Sequence, residues 1–320
     1  MRLLIDTDPG IDDALALLVA LGAPEVSVEA ITTVPGNVTI DLATDNTFRI
    51  LDVAQPARRP RVARGAEAPL KCRLVTAEHV HGDDGLGNLG RRLGPDGRPR
   101  YPAVAHNLET RDAADLILET ADRLGDELVI VALGPLTNLA VALSRDPRRL
   151  ARAGRIVVMG GALSVPGNVT PAAEFNFYVD PDAAAAVFDA ALPLELVPLD
   201  ATRQAVLREK DLAARLARDS SPVSRFVSDF TQHGFAVGGG GFALHDPLAV
   251  AVAIDPSLVR FEDFHVEIES EGRIARGASI ADRRSIPPDR KRRPNCRAAM
   301  SVDVPRFLEF FLDRLCPASR

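Results

Sequence analysis

The run Leu3-Leu4-Ile5-Asp6-Thr7-Asp8-Pro9-Gly10-Ile11-Asp12-Asp13-Ala14-Leu15-Ala16-Leu17-Leu18 decides how this chain is read. A short apolar segment leads into carboxylates at Asp6, Asp8, Asp12 and Asp13, interrupted by Pro-Gly, and then into a second apolar segment. Residues 3–6 read as a first strand, and residues 14–21, apolar on nearly every face, read as a helix buried against a sheet. Carboxylates crowded at one buried edge repel one another unless a cation neutralises them. With no His or Cys in the run, a hard oxygen-seeking ion such as Ca²⁺ or Mg²⁺ fits, and Zn²⁺ does not. The competing structural reading has Asp12 and Asp13 simply bonding the free amides at the helix start.

Outward from this run, short β-branched segments alternate with longer helical patterns, the signature of an α/β chain with an open, mostly parallel central sheet flanked by helices. Strands are expected at 26–34, 128–133, 155–159 and 194–197. Helices are expected near 40–53, from Thr137, over 183–190 and over 247–254, with a last amphipathic helix carrying Phe307, Leu308, Phe310, Phe311 and Leu315. Residues 264–268 and 274–280 flank Glu271-Gly272 and suggest a C-terminal β-hairpin. No internal repeat or linker divides the chain, so a single domain over residues 1–320 is expected. Asp6, Asp8, Asn37, the Leu133-Gly134 turn and the loop from Gly160 to Asn176 all fall at strand carboxyl ends, where open α/β sheets bind ligands.

The 320 residues are 46% hydrophobic, enough to bury a large core. The start of the chain lacks a signal-peptide pattern and no apolar run reaches membrane-span length, so a cytoplasmic protein with no membrane partner is expected. Cys72, Cys296 and Cys316 are scattered, which argues for free thiols rather than a disulfide framework or a zinc ribbon. A net charge of −6 argues against nucleic acid as a partner. The one basic run, Arg283 to Arg297 with Arg290-Lys291-Arg292-Arg293, is broken by Pro287, Pro288 and Pro294 and lacks stacking aromatics, so it reads as a solvated loop. His245-Asp246-Pro247 follows the Gly238–Gly241 run. Asp246 there suits either a helix cap or a metal, and His245 beside it suits a proton donor.

Together these segments resemble the inosine-uridine preferring nucleoside hydrolase family. The Asp6–Ala14 string is its hallmark. The match continues through Pro35-Gly36-Asn37, His81-Gly82-Asp83-Asp84-Gly85-Leu86-Gly87, Leu133-Gly134-Pro135-Leu136-Thr137-Asn138, Met159-Gly160-Gly161, Gly167-Asn168, Ala173-Glu174-Phe175-Asn176 and His245-Asp246-Pro247-Leu248-Ala249. The resemblance implies the Rossmann-like fold of nucleoside hydrolases, a place in nucleoside catabolism or salvage, and a homodimer or homotetramer. It also implies that Asp8, Asp13, Asp246 and the Leu133 carbonyl hold Ca²⁺, and that Asp8 is the general base for a water.

By the same resemblance, Asp12, Asn168, Glu174 and Asn176 grip the ribose hydroxyls of a ribonucleoside, and Asn37 orients water or sugar. His245 or His81 supplies the proton to the leaving base. Phe175, Met159, Phe230 and His233 are expected as walls of a base pocket, with the flap between Phe226 and Phe242. Tyr residues common there in relatives are missing, since the only two are Tyr101 and Tyr178. The pair of His81 and His245 favours pyrimidine or broad specificity. Two alternatives remain at this stage: a Mg²⁺-dependent phosphatase using the Asp6-x-Asp8 pair, although Gly10 breaks that pattern, and a non-catalytic nucleoside- or ribose-binding protein on the same fold.

Overall fold

The computed structural model describes residues 1–102, 108–285, 287, 290 and 292–316. The first half alternates strand and helix: β1 (Arg2–Thr7), α1 (Ile11–Gly22), β2 (Ser27–Thr33), α2 (Ile40–Ala54), β3 (Arg61–Arg64), α3 (Glu78–His81), α4 (Ala113–Leu124), β4 (Leu128–Ala132), α5 (Thr137–Arg145), α6 (Pro147–Leu150) and β5 (Arg155–Met159). The second half begins with α7 (Phe175–Val179), α8 (Pro181–Asp189), β6 (Leu194–Val197), α9 (Leu199–Thr202), β7 (Val206–Arg208), α10 (Glu209–Leu216) and α11 (Pro222–Val237). It ends with β8 (Gly241–Ala243), α12 (His245–Ile254), β9 (Val259–Phe264), β10 (Val266–Ile268), β11 (Ser279–Ala281), β12 (Cys296–Val302) and α13 (Val304–Leu315).

Eight strands form the central sheet in the order β3-β2-β1-β4-β5-β6-β12-β9. Neighbours run parallel from β3 to β12, and only β9 is antiparallel. The open, mostly parallel sheet expected from the alternating pattern is therefore present, with β9 making it mixed. In β1, Leu3 and Ile5 enter the core on one face and Leu4 the core on the other, as the two-residue period of a strand requires. The first core holds α1, α12 and α13; the second holds α4, α5 and α8. α1 packs against α12, and both are apolar on nearly every face because each is enclosed by helices as well as by the sheet.

Three expectations need correction. The hairpin is shorter than its apolar residues suggest. β10 pairs with β11 in the register Val266↔Ala281 and Ile268↔Ser279, while Ile274 lies in the connecting loop, 80% exposed. Glu269 sets that turn, because its Oε1 accepts from the amides of Glu271 and Gly272. Phe264 ends β9 in the main sheet rather than starting the hairpin. Third, the basic run is not all loop: Arg297 sits in β12, stacks 4.4 Å over the Phe261 ring and approaches Glu195. Arg292 pairs with Glu267, whereas Pro288 and Lys291 lie outside the described residues. Among the described residues, no helix is long and apolar enough to cross a membrane.

The order of strands reverses at β1, with β2 leaving to one side and β4 to the other. Loops leaving the carboxyl ends of β1 and β4 diverge there, which opens a crevice.

Candidate active site

The floor of that crevice is built by the β1–α1 turn. Asp13, in the first turn of α1, accepts from Thr7 Oγ1 at 2.6 Å, from the Gly10 amide at 2.9 Å and from Asn37 Nδ2 at 3.0 Å. It thus serves the helix start and is locked in place by the same bonds. Asp8 Oδ2 accepts from the Asn37 amide at 2.6 Å, but Asp8 Oδ1 is buried without a hydrogen-bond partner. Asp246 arrives from α12, which begins two residues earlier than its Pro suggests. No side chain caps that helix, so Asp246 is not its N-cap. One carboxylate oxygen from each of Asp12, Asp13 and Asp246 lies within 4.8 Å of the others.

Burial and mutual charge act together on three of these acids. Burial, then the charges of Asp13 and Asp12, push Asp8 well above the usual carboxylate range. Burial and then the Asp12, Asp13 and Asp8 charges do the same to Asp246. Asp12 is raised to about 8, by burial first and by Asp13 second. An unpartnered oxygen on Asp8 and an all-oxygen donor set suit a hard divalent cation, which would supply the missing positive charge.

Two histidines face the crevice. His81, at the end of α3, accepts the Ile11 amide on Nδ1 at 3.0 Å, and the same nitrogen is 4.0 Å from Asp12. Burial pulls its pKa down to about 4. A neutral ring whose Nδ1 accepts carries its hydrogen on Nε2, so His81 is a donor at that atom. His245, first residue of α12, has Nδ1 at 2.7 Å from Thr202 Oγ1. Burial, then the Arg203 charge, lowers its pKa to about 4 as well.

The far wall comes from the ends of β4 and β5 and from α7. Asn176 Nδ2 donates to the carbonyls of Leu133 at 2.6 Å and Met159 at 3.2 Å. A carbonyl oxygen has two lone pairs, so Leu133 keeps one for another partner. Glu174 caps α7, accepting from the amides of Asn176, Gly161 and Phe177, and its pKa is raised by burial to about 7. Asn168 Oδ1 accepts from the Phe175 amide, which leaves its amide nitrogen for a ligand.

These walls enclose a cavity of about 590 Å³ lined by Asp12, Asn37, His81, His245 and Asp246 on one side and by Leu133, Met159, Asn168, Glu174, Phe175 and Asn176 on the other. Asp8 and Asp13 are fully buried and do not themselves line it. Widely separated segments thus meet at one cavity, and two of the residues expected in its wall lie away from it. Phe230 is fully buried, 5.1 Å from the Phe226 ring, and belongs to the core. His233 does not line the cavity either. α11 presents Gly234 and Val237 instead, and β8 adds Phe242 and Ala243. Ile11, His79 and Val80 also line it and were missed, because a side chain beside a motif looks the same in sequence whether it faces ligand, core or solvent. Asp6, the nucleophile of the phosphatase alternative, is buried with Oδ1 bound to Thr32 and Asn138, outside the cavity lining.

The comparisons with known proteins agree with this architecture. Residues 3–309 match the model of the inosine-uridine preferring nucleoside hydrolases. The chain is 35% identical over 321 residues to the pyrimidine-specific ribonucleoside hydrolase RihA of Escherichia coli O9:H4 (strain HS), with 98% of each chain covered. The plant nucleoside hydrolase PpNRh1 superposes with a TM-score of 0.88 at 34% identity, covering 99% of both chains. The purine-preferring ribonucleoside hydrolase from Gardnerella vaginalis gives 0.87 at 33% identity, covering 99% of this chain and 98% of that one. This chain belongs to the inosine-uridine preferring nucleoside hydrolase family, and is an enzyme that cleaves the N-glycosidic bond of ribonucleosides to release base and ribose.

Proposed function

We propose that the chain, acting as one domain, is a Ca²⁺-dependent hydrolase of pyrimidine or of a broad range of ribonucleosides, with Asp8 as the general base. The observation that carries this reading is Asp8 Oδ1, buried without a partner within electrostatic reach of Asp12, Asp13 and Asp246. Asp8, Asp13, Asp246 and the remaining lone pair of the Leu133 carbonyl would hold the ion. Bound there, it supplies charge neutralisation and acidifies a water.

Asp8 accepts a proton from that water as its oxygen bonds to C1′. The C1′–N bond breaks and its electron pair goes to the base, which takes a proton or strong hydrogen bond from His245 or His81. Positive charge spreads over C1′ and the ring oxygen, where the surrounding carboxylates stabilise it. Asp12, Asn168, Glu174 and Asn176 grip the ribose hydroxyls, and Asn37 orients the water or sugar. Phe175 and Met159 flank the base.

Support for pyrimidine or broad preference comes from the likeness to pyrimidine-specific RihA and from two histidines in the cavity. The similar likeness to a purine-preferring enzyme favours breadth over strictness. A homodimer or homotetramer goes with this reading, and sedimentation of a monomer would remove that part of it.

Uridine, cytidine, inosine and adenosine should be scored for free ribose with and without a calcium chelator. Ribose is expected from at least one, with loss on chelation and return on adding Ca²⁺; activity that survives chelation overturns the metal assignment. Asp8→Asn should lower kcat by about 10²–10⁴-fold with ribose binding retained. Unchanged turnover would reject Asp8 as the base.

A further inference from the structure

α9 is the short helix after β6, and it ties together two walls of the cavity without lining it. The Leu199 amide donates to the Gly161 carbonyl at 2.9 Å, and Asp200 Oδ2 accepts from the Leu163 amide at 2.8 Å. Just beyond the helix, Arg203 donates to the carbonyls of Pro166 at 2.8 Å and Gly167 at 2.7 Å, bracing the loop that carries Asn168. Thr202 closes α9 fully buried, with its hydroxyl 2.7 Å from His245 Nδ1.

We propose that Thr202 is a positioning residue whose hydroxyl donates to His245 Nδ1 and thereby presents Nε2–H of that ring to the departing base. The inference rests on the nucleoside hydrolase reading of the cavity. A neutral imidazole that accepts on one nitrogen carries its hydrogen on the other, so a donated bond from Thr202 leaves His245 a donor at Nε2. Turning the ring over would put Cδ2 against Thr202 and leave a buried hydroxyl without a partner, which opposes the flip. Because α9 is anchored to the Gly161–Gly167 segment, the hydroxyl is held by the same backbone that shapes the ribose side of the cavity. Thr202 itself touches neither substrate nor reacting atoms.

Wild type, Thr202→Val and Thr202→Ser should be compared on uridine, inosine and p-nitrophenyl β-D-ribofuranoside, whose nitrophenolate departs without needing a proton. Valine matches the threonine shape and fills the buried site, and serine restores the hydroxyl. In Thr202→Val, kcat on the nucleosides is expected to fall about 10–100-fold, with KM and the p-nitrophenyl rate within about twofold of wild type. Thr202→Ser is expected to recover to within about threefold of wild type. Equal losses on all three substrates, or no loss, would overturn the proposal. So would ¹⁵N spectra of the wild-type histidines showing the His245 hydrogen on Nδ1, a readout that needs no variant to fold. A wild-type protein that releases ribose from neither nucleoside would instead defeat the functional reading, with the ¹⁵N result still deciding the role of Thr202.

Discussion

A methyl group has no room beside Asp8. A Cβ added at Gly36 would stand 2.1 Å from Asp8 Oδ2, and one at Gly134 would stand 2.4 Å from Asp8 Oδ1 and 2.8 Å from Val34. Both glycines are visible in sequence as members of turn motifs. Their use here is close approach, which only the packed structure reveals. Gly134→Ala should therefore displace the Asp8 carboxylate and cut kcat/KM about 10–100-fold while the circular dichroism spectrum stays native. Retained activity would mean that Asp8 tolerates movement. A second residue-scale expectation concerns the thiols. Burial pushes Cys296 up to about 12 and raises Cys316 too, whereas Cys72 is only half-buried and receives a hydrogen bond from Arg276. Ellman's reagent should label Cys72 in the folded protein and the other two only after unfolding, since the thiolate is the reacting form. Rapid native labelling of Cys296 would contradict its placement.

Single elements differ in how openly they announce themselves. β5 and β6 fall on the expected residues because a short β-branched run between breakers has few other ways to bury itself. α12 was legible as an apolar helix but not in its start: His245 already lies in the first turn, which places the Asp246 carboxylate among the acids rather than across the helix end. Leu248 of this helix is fully buried, so Leu248→Ala should cost about 2–5 kcal/mol, read as a lower urea midpoint with unchanged slope. A loss below that range would mean the core around α12 collapses into the space. β12 was not foreseen. Its Cys-Arg-Ala-Ala-Met-Ser-Val run is weakly apolar and follows a basic, proline-broken segment. It becomes a strand by pairing with β6 on one side and β9 on the other.

Across the whole molecule, the end of the sheet opposite the cavity carries its own charge cluster. Glu29 of β2 has a fully buried side chain met by Arg2 of β1 at 2.5 Å, Arg123 of α4 at 3.0 Å and Arg58 at 3.3 Å. Burial alone would raise its pKa, but hydrogen bonds from Ser27, Arg2 and Arg123 and the Arg58 charge outweigh burial and hold it at about 2. A depressed acid stabilises the fold above its ordinary value of 4.5, and that contribution disappears as pH falls from there through about 2. Glu29→Gln should therefore melt below wild type at neutral pH, with the gap narrowing as pH falls through this window. A gap independent of pH would show that Glu29 acts only by packing.

The order of apolar runs and breakers was enough to state an α/β sheet, because a buried parallel strand and its covering helix each need a fixed length and period of apolar side chains. The acidic string Asp6–Asp13 was likewise enough to state a cation-seeking edge, since like charges at a buried turn demand a counter-charge. Which aromatic faces ligand and which faces core, as Phe242 and Phe230 divide the roles, was decided only when α11 docked and β8 folded back beside it. The bond from Thr202 to His245 belongs to the same class: the two residues are 43 positions apart, and neither carries a local pattern that names the other. Periodicity and charge act along the chain and leave their trace there, whereas contact across the fold depends on how already formed elements pack.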